Sequence, residues 1–393
     1  MSMKDRNIYC LNNIAKIGTD GFRSGYTLID SIDDAAGVLV RSADMKEMTF
    51  PAGLRAIARA GAGVNNIPLD RCAEEGIVVF NTPGANANAV KELVIAGLIL
   101  AARDVVGGAD WVRANADDEN IKKDAEKAKK AFAGNEIKGK TLGVIGLGAI
   151  GAQVANTALD LGMTVYGYDP YLSVDAAWSI SREVRYAASL DNLFAVSDFL
   201  TIHVPYLEST KHTINREAIA KMKDGVRFLN FARDALVDDE AMAEALESGK
   251  VRVYVTDFPN PAVVKMKNTV IFPHLGASTE EAEDNCAVMA VQELQDYLDN
   301  GNIKNSVNYP ALNAGTCQTE SRVAILHRNI PNMLSQITAF FGQNGLNIEN
   351  LASKSRGGYE YTLLDISSPM PHDTVEKLKA IDGVLRVRRL TTK

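Results

Sequence analysis

The sequence predicts an α/β protein with three parts: a small parallel α/β unit, a doubly wound parallel sheet, and a C-terminal βαββαβ module. Three observations lead to this prediction. Short apolar strands alternate with helical stretches through the first two parts. A buried strand at residues 140–145 runs directly into a glycine-rich turn. Beyond residue 320, strands and helices follow in the order of a ferredoxin-like fold.

Composition limits the classes of function. The 393 residues are enough for two to four domains, and 46% hydrophobic with 23% charged residues is an ordinary globular balance. The formal charge of −7 argues against a nucleic-acid partner, because phosphates require a basic protein face. The apolar run at 93–102 covers about half a bilayer, so no membrane span is expected.

No long apolar segment follows residues 1–6, so a secretory leader is not expected. The four cysteines are scattered and form no CxxC pair, which predicts reduced thiols and no metal site. We therefore expect a cytoplasmic protein.

The first part shows apolar strands at 36–40 and 76–80, with a stretch at 54–59 that we interpret as helical. A long apolar helix is predicted at 89–106. The charged stretch that follows, 117–130, has acidic and basic residues three or four apart and predicts a solvated helix.

The central part opens with a dinucleotide-binding pattern. The turn after its first strand reads Gly146-Leu147-Gly148-Ala149-Ile150-Gly151. Gly146 permits the tight turn, Gly148 lets the backbone approach a pyrophosphate, and Gly151 lets helix and strand pack closely. Asp169 ends the next strand and can accept hydrogen bonds from ribose hydroxyls, while it would repel a 2′-phosphate. The pattern therefore favours NAD over NADP.

Polar side chains follow three later strands of this part. Arg233, Asp257 and His274 each stand at or just beyond a predicted strand end, where a doubly wound sheet borders its ligand crevice. An arginine can bind a carboxylate with two hydrogen bonds, and a histidine can take a hydroxyl proton as hydride leaves the carbon. Together with the glycine-rich turn, they predict oxidation of a 2-hydroxy acid.

The end of the chain is predicted to form a separate module. A looser stretch at 302–319 is a candidate linker. After it, a strand, a helix from about Pro331, two strands joined at a Gly-Gly turn, a helix from about His372 and a last strand give the order βαββαβ.

Several segments carry a resemblance over about residues 1–310. They are 61–66, 81–83, 140–151, 203–205, 230–238 and 273–279. This set resembles the D-isomer-specific 2-hydroxyacid dehydrogenases, and the C-terminal module is similar to an ACT domain. The resemblance implies a flavodoxin-like substrate domain at 1–95 completed by 283–310, a Rossmann-type NAD domain at 96–282, and an ACT regulatory domain at 320–393. It also implies a homodimer or homotetramer.

The resemblance further implies roles for individual residues. Arg233 would bind the substrate carboxylate and carbonyl, and His274 would be the general acid/base. The cofactor would contact Gly146, Gly148, Ala149, Ile150, Gly151, Asp169, His203, Ala232 and Asp257. The substrate, expected to be 3-phosphoglycerate, would contact Arg41, Ser42, Gly63, Val64 and Asn86. L-Serine, a possible effector, would contact His327, Asn329 and Asn347.

The chain departs from the family pattern at Asn260, where a glutamate usually pairs with the catalytic histidine. Asparagine can orient an imidazole but cannot stabilise its charge as a carboxylate does. Either Glu280, Glu281 or Glu283 helps, or the acidic limb of the pH–rate profile lies lower than in a glutamate–histidine pair.

Other functions stay open at this level. Another D-2-hydroxyacid dehydrogenase, acting on glyoxylate, hydroxypyruvate or 2-hydroxyglutarate, would use the same Arg233 and His274. A catalytically silent NAD-sensing protein would keep the fold without turnover.

Overall fold

The computed structural model describes residues 6–371 and 373–390. Residues 1–5, where no leader was expected, and His372, the predicted start of the last helix, lie outside them. The chain forms two compact units: residues 1–86 with 280–393, and residues 87–279. No helix within the described ranges is long and apolar enough to span a membrane.

Strands and helices alternate along most of the chain. The strands are β1 Asn7–Cys10, β2 Thr27–Ile29, β3 Gly37–Val40, β4 Ala56–Arg59, β5 Val78–Phe80, β6 Thr141–Ile145, β7 Thr164–Tyr168, β8 Arg185–Tyr186, β9 Phe199–Ile202, β10 Val226–Asn230, β11 Val251–Thr256, β12 Thr269–Ile271, β13 Ser321–Arg328, β14 Ile348–Arg356, β15 Tyr359–Ile366 and β16 Val384–Leu390. The helices are α1 Lys16–Thr19, α2 Leu69–Glu74, α3 Ala87–Ala102, α4 Val105–Ala114, α5 Ile121–Ala128, α6 Ala149–Asp160, α7 Val174–Ser179, α8 Leu190–Val196, α9 Arg216–Lys221, α10 Asp239–Ser248, α11 Glu280–Asn300, α12 Met333–Gln343 and α13 Thr374–Lys379.

The first unit contains a parallel five-stranded sheet in the order β2-β1-β3-β4-β5. This is the flavodoxin-like order, which confirms the predicted fold of this part. The helical interpretation of residues 54–59 was wrong, because Ala56–Arg59 is a strand between β3 and β5. A short apolar run buried in a parallel sheet has no alternation that would distinguish it from a helix.

Helix α11 and the segment after it complete the first unit. The α11 side chains Leu294 and Leu298 belong to the same core as the sheet. The predicted linker at 302–319 is not loose at its start: the Asn308 side chain accepts from the Val79 backbone NH and donates to the Ile77 carbonyl, beside β5. The Tyr309 hydroxyl donates to the Ala73 carbonyl. These bonds fix the segment to the sheet.

The second unit is a seven-stranded parallel sheet in the order β12-β11-β10-β9-β6-β7-β8. This doubly wound order confirms the predicted Rossmann-type fold. The apolar helix predicted at 89–106 ends earlier, at Ala102, because Asp104 starts a new helix by accepting from the Gly107 backbone NH. Of the charged stretch, only Ile121–Ala128 is α-helical.

The C-terminal module has the antiparallel strand order β14-β15-β13-β16, which confirms the ferredoxin-like prediction. Its inner strand β13 is buried on both faces. Val323 and Ile325 pack with the module's own helices, whereas Ala324 and Leu326 belong to the core shared with α11. Successive side chains of a strand point to opposite faces, so β13 joins the two cores.

A buried ion pair anchors this module. Arg322 is 1% exposed and binds both carboxylate oxygens of Asp365, at 2.6 and 3.0 Å. Its guanidinium also donates to the carbonyls of Asn300, Ala314 and Gly315. Arg322 thus links the module's sheet to the end of α11 and the segment after it.

We expect Asp365→Asn to lower the free energy of unfolding by about 3 kcal/mol, because it leaves the Arg322 charge buried without a carboxylate. Urea unfolding measures this loss of stability, and amide exchange in β13 and β15 shows whether it is local to the module. Glu244→Gln is the matched control: it breaks the exposed Arg216–Glu244 pair and should cost less than about 1 kcal/mol. Equal costs for both variants would contradict the anchoring role of Arg322.

Candidate active site

The glycine-rich turn between β6 and α6 has the geometry that its sequence pattern predicts. Gly146 has φ +87°, a backbone conformation that residues other than glycine rarely adopt. A Cβ at Gly151 would overlap the Gly146 carbonyl oxygen. Gly148 immediately precedes α6 and has open space beside it. The first-turn NH groups of α6 and this open space suit a pyrophosphate.

Asp169 lies at the end of β7, next to this turn. Its Oδ2 accepts from the Leu147 backbone NH and its Oδ1 from the Tyr171 NH, both at 2.9 Å. The carboxylate is therefore held against the glycine-rich turn, where an adenosine ribose is bound in this fold. Its charge fits NAD and disfavours a 2′-phosphate.

His203 follows β9 and is partly buried, with its Nδ1 atom inaccessible to solvent. Its Nε2 lies 2.9 Å from the Thr201 hydroxyl, and its Nδ1 has no hydrogen-bond partner. Burial lowers the pKa of His203 from 6.5 to about 3. An unpartnered buried nitrogen is unusual and is consistent with the predicted cofactor contact at this position.

Arg233 lies in a turn that Asn230, the last residue of β10, holds in place. The Asn230 side chain accepts from the Ala232 NH at 3.1 Å and donates to the Arg233 carbonyl at 2.8 Å. The Arg233 guanidinium donates to the Ala232 carbonyl. Asp234, the next residue, is exposed and accepts from the Ala235 NH.

His274 is exposed and adopts φ +55°. The turn that carries it is fixed by Asp257, which is 1% exposed and accepts from the Leu275 and Gly276 NH groups at 2.6 and 2.7 Å. Burial raises the pKa of the Asp257 carboxyl, and these two hydrogen bonds act in the opposite direction. The His274 ring packs on Phe258, with ring centroids 5.0 Å apart. Phe258 was not among the site residues predicted from the sequence.

Asn260 does not take the place of the missing glutamate. Its Nδ2 donates to Asp239 at 2.9 Å, and its Oδ1 accepts from the Ala262 and Val263 NH groups. The short Phe-Pro-Asn-Pro connection turns the amide toward this local turn instead of toward His274. Among the acids considered as substitutes, Glu283 forms an ion pair with Arg41 at 2.6 Å.

In the first unit, the predicted substrate residues follow the carboxyl ends of parallel strands. Asn12 Oδ1 accepts from the Arg41 and Ala43 NH groups and so fixes the loop that contains the exposed Ser42. Arg59, at the end of β4, donates from its Nε to the Arg41 carbonyl at 3.0 Å.

Sequence reasoning missed Arg59, because residues 54–59 were interpreted as helical and not as a strand that ends beside Arg41. Its guanidinium lies against Gly61, where a Cβ would overlap it. Gly63 and Val64 continue this loop, and the Val64 carbonyl accepts from the Ile67 NH. Asn86 is the last residue of the first unit's N-terminal segment.

The three residues predicted to bind serine do not share one environment. His327 is fully buried: its Nε2 lies 2.9 Å from the Thr362 hydroxyl, and its Nδ1 lies 3.0 Å from the Arg328 carbonyl. Asn329 and Asn347 are exposed and donate to the Gly357 carbonyl and to Glu349. The surface position of the two asparagines permits ligand contact, whereas the present surroundings of His327 do not.

Comparison with known proteins agrees with this geometry. Residues 95–276 match the family model described as D-isomer specific 2-hydroxyacid dehydrogenase, NAD binding domain. The chain is 33% identical over 339 residues to D-3-phosphoglycerate dehydrogenase of Haemophilus influenzae, covering 84% of this chain and 79% of the relative. The chain belongs to the D-isomer-specific 2-hydroxyacid dehydrogenases.

Other members of the family are similar to different degrees. Hydroxypyruvate reductase of Thermotoga maritima is 42% identical over 250 residues, which are 61% of this chain and 76% of that protein. The NAD+-bound 3-phosphoglycerate dehydrogenase of Entamoeba histolytica superposes with a TM-score of 0.61 at 28% identity, covering 78% of this chain and 99% of that chain. The chain spans only 53–55% of several further D-3-phosphoglycerate dehydrogenases.

This dehydrogenase is an NAD-dependent oxidoreductase. Bound NAD supplies the carbon that accepts hydride. Within the chain, Asn230 holds the turn of Arg233 and Asp257 fixes the turn of His274.

The low pKa of His203 predicts a pH-dependent stability. The unfolded chain binds a proton near pH 6.5 and the folded chain does so only near pH 3, so stability falls as pH drops through this range. Between pH 7.5 and 5.5, wild type should lose about 1 kcal/mol more than His203→Gln. Urea unfolding of the NAD-free protein measures both values.

Thr201→Val is the control, because it removes the hydrogen bond to His203 but keeps the imidazole. It should lower the free energy of unfolding at both pH values and leave the difference between the two pH values as in wild type. A difference in His203→Gln equal to that of wild type would contradict the assignment of a neutral imidazole.

Proposed function

We propose that this dehydrogenase oxidises 3-phospho-D-glycerate to 3-phosphohydroxypyruvate with NAD, the first step of phosphorylated L-serine biosynthesis. The observation that carries the proposal is the pair Arg41 and Arg59, at the ends of the adjacent strands β3 and β4 and joined by a hydrogen bond. The guanidinium of Arg59, beside Gly61, and that of Arg41, which also pairs with Glu283 at 2.6 Å, offer N–H donors that suit a phosphate. An unphosphorylated acid has no need of it.

The catalytic roles follow from the second unit. Arg233 binds the carboxylate and the reacting oxygen, and its charge favours the build-up of alkoxide character as hydride leaves. His274 takes the hydroxyl proton during oxidation and returns it during reduction. Ser42, Gly63, Val64 and Asn86 contribute substrate contacts from the first unit, with backbone NH groups of the loop available to oxygen atoms.

The similarity to named relatives supports the phosphorylated substrate. The Haemophilus influenzae D-3-phosphoglycerate dehydrogenase aligns over 84% of this chain, which requires similarity beyond the NAD-binding region. A second candidate is reduction of hydroxypyruvate, favoured by the 42% identity to the Thermotoga maritima reductase over a shorter stretch.

We further propose the following organisation. Residues 1–95 with 283–310 serve as the substrate domain, 96–282 as the NAD domain and 320–393 as an ACT domain, in a homodimer or homotetramer. The four free cysteines support a cytoplasmic location, where thiols stay reduced.

L-Serine is the effector that we propose for the ACT domain. Exposed Asn329 and Asn347 can bind its carboxylate and amine. The usual Pro-Gly of this domain is Pro331-Asn332 here, and Asn332 adopts φ +71°, a conformation that asparagine tolerates. The departure therefore preserves the backbone at the start of α12.

Substrate choice tests the role of Arg59. Arg59→Gln should lower kcat/KM for 3-phosphohydroxypyruvate about 30-fold, or about 2 kcal/mol, because one charge-assisted contact to the phosphate is lost. Activity with hydroxypyruvate should change less than about three-fold. Steady-state NADH oxidation with each acid gives kcat/KM of the variant relative to wild type.

Arg23→Gln is the control for charge and location, since Arg23 belongs to the same unit and forms an ion pair with Asp299. This control should leave kcat/KM unchanged for both acids. Equal losses on both acids in Arg59→Gln would show that Arg59 acts on structure and not on the phosphate.

The serine site has its own test. Asn347→Ala should raise the serine concentration for half-inhibition at least ten-fold while uninhibited turnover stays within two-fold of wild type. Asn344→Ala, which removes an asparagine that only binds the Phe340 carbonyl of α12, is the control. A wild-type enzyme that serine does not inhibit would leave the module without this effector.

A further inference from the structure

A strongly basic cavity of about 450 Å³ lies within the first unit, away from the residues assigned to catalysis. The loop before β4, helix α13 and strand β16 line it. Five cationic side chains contribute: Arg55, Lys379, Arg386, Arg388 and Arg389. The other lining residues are apolar or glycine, and none of the described residues lining the cavity carries a carboxylate.

Two of these arginines are held rigidly by backbone carbonyls. Arg386 donates to the Leu54 and Glu75 carbonyls at 2.6 and 2.9 Å. Arg388 donates to the Tyr297 and Leu298 carbonyls, and its guanidinium carbon lies 4.4 Å from the centre of the Tyr297 ring. Carbonyl oxygens orient a guanidinium without neutralising it, so the positive charge in the cavity persists.

Part of this cationic surface has unused hydrogen-bonding capacity. The Nε atoms of Arg388 and Arg389 are buried without a hydrogen-bond partner, and Arg388 is only 5% exposed. Burial lowers the pKa of Arg386, and the charges of Arg388 and Arg55 add to that effect. Like charges held together in a poorly solvated space repel, and this repulsion is relieved by a bound anion.

We propose that this cavity binds a small, multiply charged anion that carries phosphate groups. The planar guanidinium group of arginine can donate two hydrogen bonds to phosphate oxygens. The volume of the cavity is in the range of binding sites for small metabolites. The site lies where the C-terminal module contacts the rest of its unit, since Arg386 and Arg388 on β16 bind carbonyls beside β4, α2 and α11. A bound anion therefore stabilises this contact, independently of the proposed catalytic function.

Pyrophosphate is the probe that tests the proposal. Isothermal titration of the full chain saturated with NADH, which blocks the pyrophosphate site expected at the start of α6, should show saturable binding at constant ionic strength set with chloride. The double variant Lys379→Gln with Arg389→Gln should weaken this binding at least ten-fold, because two contacts are lost. Lys377→Gln is the matched control. Lys379 and Lys377 each pair with an acid of the same segment, Glu376 and Asp373, but Lys377 does not line the cavity.

Arg59→Gln separates this cavity from the proposed substrate-phosphate site. It should leave pyrophosphate affinity unchanged, and pyrophosphate should slow amide exchange at residues 52–55 and 384–389. Absence of saturable binding, equal affinity in wild type and the double variant, or loss of binding in Arg59→Gln would each overturn the proposal. NADH oxidation by the double variant at a wild-type rate confirms that it is folded.

Discussion

The backbone groups at the carboxyl ends of the parallel strands must find hydrogen-bond partners, and this constraint organises the functional parts of the molecule. The side chain that satisfies them is each time an asparagine or aspartate at or just after the strand. Asn12 holds the loop of Arg41, Asn230 holds the turn of Arg233, and Asp257 holds the turn of His274. Asp169 bonds the glycine-rich turn in the same way. The residues that meet ligands are thus mounted on loops whose shape is fixed before any ligand binds.

This arrangement explains why so much could be predicted from the sequence. Parallel strands that end in Asp or Asn, followed by glycine, arginine or histidine, form a local pattern that is visible without a structure. The strand Thr164–Tyr168 and its terminal Asp169 were predicted at their observed positions. The strand orders of the two parallel sheets and the module agree with the predicted fold class.

The incorrect predictions have physical causes that local sequence patterns do not reveal. The Ala56–Arg59 strand looks like a helix segment because both of its faces are buried, and this error concealed Arg59 at its end. Asn260 stands at the sequence position of a glutamate, yet a nearby aspartate and two backbone NH groups bind its amide. The burial of His327 depends on which face of β13 meets the module's helices, which is a property of tertiary packing.

The central claim is that the enzyme acts on a phosphorylated 2-hydroxy acid. The most direct measurement is the ratio of kcat/KM for 3-phosphohydroxypyruvate to that for hydroxypyruvate, with NADH and the unaltered chain. Two arginines beside the phosphate predict a ratio of at least about 100, since each charge-assisted contact contributes about ten-fold or more. A ratio near one or below would contradict the account and favour a reductase of unphosphorylated acids.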